Sequence, residues 1–159
     1  MAEYHGGCSC GAVRYKLLTE PMFTHACHCH LCQQVTGSAF IIHNIIESFN
    51  FIILQGELSD FNGPSGSGRR HVVKRCSKCG DALVSFFTEG ANAVVKAGSL
   101  DDPNKLPPQA HIFVDAKLDW IELPIGLPQY PGMYAFEETW PRESLLRRLE
   151  AQRAVTEDR

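Results

Sequence analysis

The sequence predicts a mainly β protein, a sandwich or open barrel of short strands followed by a short C-terminal helix. Three observations carry this reading. Segments rich in β-branched and aromatic residues recur at a spacing of about ten residues. Glycine and proline punctuate them, and Pro103, Pro107, Pro108, Pro124, Pro128 and Pro131 break the second half into loops. Helical spacing of apolar residues is confined to the tail, where Leu145, Leu146 and Leu149 fall on one face.

Taken in order, Val13 to Leu17 alternates around Arg14 and Lys16 and reads as a half-exposed strand. Ala39 to Ile42 and Phe49 to Leu54 have strand composition, and Gly56 to Phe61 reads as a turn into another strand. Gly63-Pro64-Ser65-Gly66-Ser67-Gly68 predicts a flexible loop. Val72-Val73, Leu83 to Phe87, Val94-Val95 and Ile112 to Val114 predict further short strands. Pro141 to Ala154 predicts an amphipathic helix, with Pro141 tolerated in its first turn. Residues 1–140 are read as one β domain and 141–159 as its C-terminal helix and tail.

Composition bounds the rest. The chain has 159 residues, 44% hydrophobic and 21% charged, which is enough for an ordinary apolar core and unlike a disordered chain. The richest stretch, Ala39 to Leu54, is interrupted by His43, Asn44, Glu47 and Asn50, so no membrane span is expected. The first seven residues lack a basic start and an apolar run, which predicts no secretory signal and a cytoplasmic location. A net charge of −3 gives no general attraction to nucleic acid or to anionic lipid.

Seven cysteines stand out, an odd number that argues against a disulfide framework and for metal. Cys76-x-x-Cys79-Gly80 has knuckle spacing, in which two thiolates grip one tetrahedral ion across a tight turn. Cys8-x-Cys10-Gly11 offers a second grip of similar design. Since a structural zinc takes four ligands, Cys8, Cys10, Cys76 and Cys79 are read as one closed site joining distant segments.

Cys27, Cys29 and Cys32 remain. Three thiolates can hold zinc with the fourth position open, as in a catalytic site, or His25, His28 or His30 can close it. If residues 23–29 are extended, His25 shares a face with Cys27 and Cys29 while His28 points away, which makes His25 the favoured closing ligand. These residues alone leave both alternatives standing. Zinc held by three thiolates carries a single negative charge, is a weak Lewis acid toward water, and suits a bound thiolate.

Other features read more simply. Arg69 to Lys78 holds five basic residues and no acid, either an anion-binding edge or a solvated hairpin face. Trp120 and Trp140 are candidates for the core, and His111 for a satisfied structural histidine. Asp101-Asp102-Pro103 reads as a turn.

Gly7-Cys8-Ser9-Cys10-Gly11-Ala12-Val13-Arg14-Tyr15, Cys27-His28-Cys29-x-x-Cys32, Gly37-Ser38, Cys76-x-x-Cys79-Gly80 and Ala97-Gly98-Ser99-Leu100-Asp101-Asp102 occur in one order. Together, from about Gly6 to Trp120, they resemble the glutathione-dependent formaldehyde-activating enzyme family, also called the centromere protein V domain family. The resemblance implies two packed antiparallel sheets, shared with methionine sulfoxide reductase B. It implies two Zn²⁺ per chain: a structural one at Cys8, Cys10, Cys76 and Cys79, and a catalytic one with an open position at Cys27, Cys29 and Cys32. It implies a carbon–sulfur lyase that joins glutathione and formaldehyde. Gln33-Gln34 after Cys32, where a basic residue is frequent, and Arg75 before Cys76, where an aromatic is frequent, depart from the family pattern beside the metal clusters.

Three functions follow. The first is a zinc enzyme making or breaking a carbon–sulfur bond on a small thiol such as glutathione. The second is a thiol-dependent reductase on the same fold, whose reactive cysteine would have to come from the 27–32 cluster. The third is a non-enzymatic zinc module binding a macromolecule, for which nucleic acid is disfavoured by charge.

Overall fold

The computed structural model describes residues 3–63, 71–87 and 90–157. Among these, eleven strands and three α-helices follow the chain in the order β1 (Tyr4–Gly7), β2 (Arg14–Leu17), β3 (Phe23–Cys27), α1 (His30–Thr36), β4 (Ile41–Glu47), β5 (Phe51–Gln55), β6 (Leu58–Gly63), β7 (His71–Cys76), β8 (Ala82–Phe87), β9 (Asn92–Lys96), β10 (Ala110–Ile112), β11 (Gln129–Tyr130), α2 (Phe136–Thr139) and α3 (Arg142–Glu157). A small sheet runs β1-β2-β5, and a large one runs β11-β10-β3-β4-β9-β8-β7-β6. The sheets do not close into a barrel. The predicted loop at Pro64 to Gly68, and Arg69 and Arg70, lie outside the described residues.

Period-two patterning explains how the sheets meet. Val13, Tyr15 and Leu17 bring three fully covered side chains from the small sheet onto Ile46, Val84 and Val95 of the large one. Each such side chain contributes about 1.5–3 kcal/mol of hydrophobic stabilisation. A second core lies on the large sheet's other face, where Phe23, Ile45 and Val94 meet Ile112, Tyr134 and Trp140. Helix α3 closes that side. Ser144 Oγ donates to the Met22 carbonyl at 2.6 Å, and Arg147 Nε meets Glu47 Oε1 at 2.6 Å.

The pairing is antiparallel except around β10, which lies parallel to both β3 and β11. The expected strand at Ile112 to Val114 stops at Ile112, because Phe113 turns left-handed (φ 54°) and Val114–Ala116 form a 3-10 turn. The predicted strand at Ala39 to Ile42 begins instead at Ile41 and runs through the polar residues that interrupt the pattern. Those residues are tolerated because each has a partner: His43 meets Lys96, Asn44 Oδ1 accepts from Thr24 Oγ1, and Glu47 meets Arg147. Residues Ser48–Asn50 form a 3-10 turn, so the next strand starts at Phe51 rather than Phe49. Strands β1 and β11 and helix α1 carry too few apolar residues to announce themselves. Trp140 is in the core as expected, whereas Trp120 is 73% exposed.

Candidate metal centres

The first cysteine cluster sits where the two sheets come together. Cys8 and Cys10 lie in the turn between β1 and β2; Cys76 ends β7, and Cys79 lies in the turn before β8. The two turns are built alike. Gly11 N donates to the Cys8 carbonyl at 3.0 Å, and Gly80 N to the Cys76 carbonyl at 2.9 Å. Gly11 (φ 74°) and Gly80 (φ 82°) both take the left-handed conformation these turns need, which glycine adopts without strain. Backbone N–H groups point at the sulfurs: Val13 N at 3.2 Å from Cys8 Sγ, and Lys78 N at 3.4 Å from Cys76 Sγ. Such donors stabilise thiolates. The four sulfurs lie within 4.8 Å of one another. Two of them, Cys8 and Cys76, are buried in the inter-sheet core. A four-sulfur donor set with this clustering can hold a metal ion and fits a soft tetrahedral one such as zinc.

The second cluster is on the opposite face of the large sheet, at the end of β3. Cys27 is its last residue and is buried. Cys29 caps α1, its sulfur accepting from Cys32 N at 3.4 Å, and Cys32 lies in the helix's first turn. Their three sulfurs also lie within 4.8 Å of one another and can hold a metal ion. Crowding makes Cys29 and Cys32 hard to ionise on their own. The hydrogen bond to Cys27 and then burial push Cys32 upward, and burial pushes Cys29 upward. A divalent cation among them reverses that sign by supplying the opposite charge.

No histidine joins the three sulfurs among the described residues. His25 Nδ1 meets the Tyr134 hydroxyl at 2.9 Å, and that oxygen also accepts from Trp140 Nε1 at 2.9 Å. His28 turns away, as strand alternation predicts, and its Nε2 meets His111 Nδ1 at 3.0 Å. His30 Nδ1 faces Gln33 Oε1 at 3.2 Å. Burial holds His25 down to about 3 and His28 down to about 4, so both imidazoles are neutral. His111 is buried, though its Nε2 has no hydrogen-bond partner among the described residues, so it is less satisfied than its sequence context implies.

Residues with no local signal complete the setting. Gln33 Nε2 donates to the carbonyls of His28 (2.7 Å) and Ala116 (2.9 Å), bracing α1 against the chain after β10. The register aligns His25 with His43 on the adjacent strand, and His43 with Lys96 on the next. This row crosses the same face as Cys27. The His43 ring lies 5.4 Å from that of His25. Lys96 Nζ donates to His43 Nε2 at 3.3 Å. Burial pulls the Lys96 ammonium down to about 8, against an opposing pull from Cys32 and Cys27.

The basic run resolves into hairpin contacts where it is described. Lys74 Nζ pairs with Asp60 Oδ1 at 2.6 Å, and Arg75 Nη1 donates to the Gly80 carbonyl at 3.0 Å. The Asp101-Asp102 pair is a turn, as expected: Asp102 Oδ1 accepts from Asn104 N at 3.2 Å, and Asp101 pairs with Arg14. No helix of the described residues is long and apolar enough to cross a membrane.

Comparison with known proteins adds an independent line. A family model described as glutathione-dependent formaldehyde-activating enzyme matches residues 3–116. A Halomonas elongata protein that carries that name provisionally is 27% identical over 127 residues, covering 74% of this chain and 79% of its own. A Schizosaccharomyces pombe protein named as an uncharacterized lyase is 25% identical over 120 residues, covering 75% and 84%. A crystal structure of a Rhodobacter sphaeroides protein shares 16% identity at a TM-score of 0.47, covering 79% of this chain and 98% of that one.

Proposed function

Since the chain belongs to the glutathione-dependent formaldehyde-activating enzyme family, we propose that it is a zinc-dependent enzyme of the carbon–sulfur lyase type. Its substrate is the adduct of a small thiol, glutathione or a close analogue, with an aldehyde. One observation carries the choice of site: three cysteines converge at the end of β3, with His25, His28 and His30 all engaged elsewhere. That leaves a three-sulfur donor set whose fourth position no histidine fills among the described residues.

The two centres divide the work. Cys8, Cys10, Cys76 and Cys79 hold a structural zinc that ties the small sheet to the large one. Cys27, Cys29 and Cys32 hold the second zinc, which when bound supplies a soft positive charge that keeps a thiol in its thiolate form. The chain's own residues set the geometry. Cys29 fixes the start of α1, and Gln33 anchors that helix to Ala116, so the three sulfurs are held from two sides. Tyr134 holds His25 in place beneath Cys27. An aldehyde carbon meeting the thiolate accepts its electron pair, a carbon–sulfur bond forms as the carbonyl π bond breaks, and the resulting alkoxide oxygen takes from solvent water the equivalent of the proton that the thiol gave up. The reverse step breaks that bond.

Zinc content and calorimetry test this together. Wild type purified without added metal should contain two zincs per chain and bind glutathione, and Cys29→Ser should lose one zinc and the binding. Two zincs with no thiol binding at millimolar concentration would overturn the enzyme reading in favour of an interaction module.

A further inference from the structure

We propose that Lys96 determines ligand specificity at the Cys27–Cys29–Cys32 centre, favouring an anionic fourth ligand, a thiolate, over a neutral one. This rests on the reading of that centre as a zinc site with an exchangeable position. It concerns a residue on a different strand, outside every cysteine motif.

Lys96 ends β9, two strands across from β3, in register with His43 and through it with His25. Alternation puts His25 and Cys27 on one face, so the lysine projects on the side of the sulfur cluster. The residue keeps some surface, but its amine lies among protein atoms. Its hydrogen-bond partner among the described residues is the neutral His43 imidazole, at 3.3 Å. Lys16 and Lys74, by contrast, each pair with a carboxylate. A covered ammonium without a carboxylate needs a negative charge nearby, and the cluster provides it. The zinc-loaded centre carries a single negative charge, and a bound thiolate makes it two. A neutral fourth ligand adds none. A cation on that face, whose charge is felt at Cys32 and Cys27, therefore stabilises the thiolate-bound state selectively. The thiol's proton leaves to the buffer on binding.

The test uses the full chain with Co²⁺ in both centres, titrated at pH 7 with 2-mercaptoethanol and, separately, with imidazole. The sulfur-to-cobalt charge-transfer band reports thiolate binding, and elemental analysis confirms two metals per chain. Lys96→Met is expected to fold, because removing a covered charge relieves desolvation. It should weaken thiol binding by roughly tenfold or more, the effect of one charge in a medium of intermediate dielectric, and leave imidazole binding within about twofold. Lys96→Arg should restore most of the thiol affinity. Wild-type thiol affinity in Lys96→Met would overturn this proposal and leave the enzyme reading intact. Equal weakening of both ligands would also overturn it, by showing a merely structural role, as would loss of metal from the variant. No thiol binding by wild type would overturn the parent reading and this one with it.

Discussion

Ser9 N donates to Asp81 Oδ2 at 2.7 Å, joining two knuckle turns 72 positions apart in the chain. The bond aligns Cys8-Ser9-Cys10 with Cys76 to Cys79, so the four sulfurs are brought together by protein contacts as well as by any ion they hold. Asp81→Ala should loosen that alignment. A charge-assisted hydrogen bond at an exposed site contributes about 1 kcal/mol, or about 2–4 °C in Tm for a chain of this length. The check is thermal melting beside the rate of metal release to a chelator. Unchanged values of both would show that the knuckles need no such bond.

The two cysteine centres should respond differently to loss of a ligand. Cys76 is 2% exposed within the inter-sheet core, whereas Cys29 is partly exposed at the start of α1. Cys76→Ser should lower thermal stability markedly, because structural zinc sites contribute folding energy directly, ~10–16 kcal/mol of apparent binding energy in isolated zinc fingers. Cys29→Ser should lose about one metal ion and stay folded. Calorimetric melting with metal analysis separates the two, and equal losses in Tm would refute the division of labour.

Glu47 gives stability a defined acid limit. Burial pushes its carboxyl up, but hydrogen bonds from Arg147, its own backbone N–H and Asn50 outweigh that and leave it below the usual value of 4.5. Its folded-state value is therefore depressed. The stabilisation is fully present above the ordinary carboxylate range and is lost as pH falls through the folded value. Glu47→Gln should flatten the acid limb of a stability–pH curve measured by urea unfolding. Arg147→Met should be worse, costing about 2–3 kcal/mol at neutral pH, because it strands a covered carboxylate.

Tyr134 serves two partners at once. Tyr134→Phe should leave His25 Nδ1 and Trp140 Nε1 without their shared oxygen, at about 1–3 kcal/mol for each covered polar group. A change in tryptophan fluorescence should accompany the fall in urea midpoint. A variant as stable as wild type would mean that water replaces the hydroxyl.

Much of this was readable in the chain because the signals are local. Cysteine pairs separated by one or two intervening residues and followed by glycine announce knuckles, and the strands at Arg14–Leu17, Phe51–Gln55 and Ala82–Phe87 follow from composition. What escaped depends on pairing between distant segments. Lys96 and His43 are unremarkable in their own strands and acquire meaning through register across β3, β4 and β9. Gln33 reads as a departure from the family pattern, yet in the structure it braces α1. The polar residues of β4 read as interruptions because their partners, Thr24, Lys96 and Arg147, lie far along the chain. Helix α1 escaped because none of its residues is buried, leaving no apolar stripe to see.

The parallel placement of β10 bears on the order in which the molecule assembles. Cys27 is flanked by Ile41 on one side and Ile112 on the other. Its three-cysteine cluster spans six residues of chain, but the bed that holds it is complete only when a strand some eighty residues later has docked. Long-range parallel pairing is slow to form because loop closure precedes any reward in contacts. The second cluster's thiols are thus translated early and sheltered late. During that interval they are open to oxidation into a disulfide among themselves, and early capture of a metal ion would protect them from that fate.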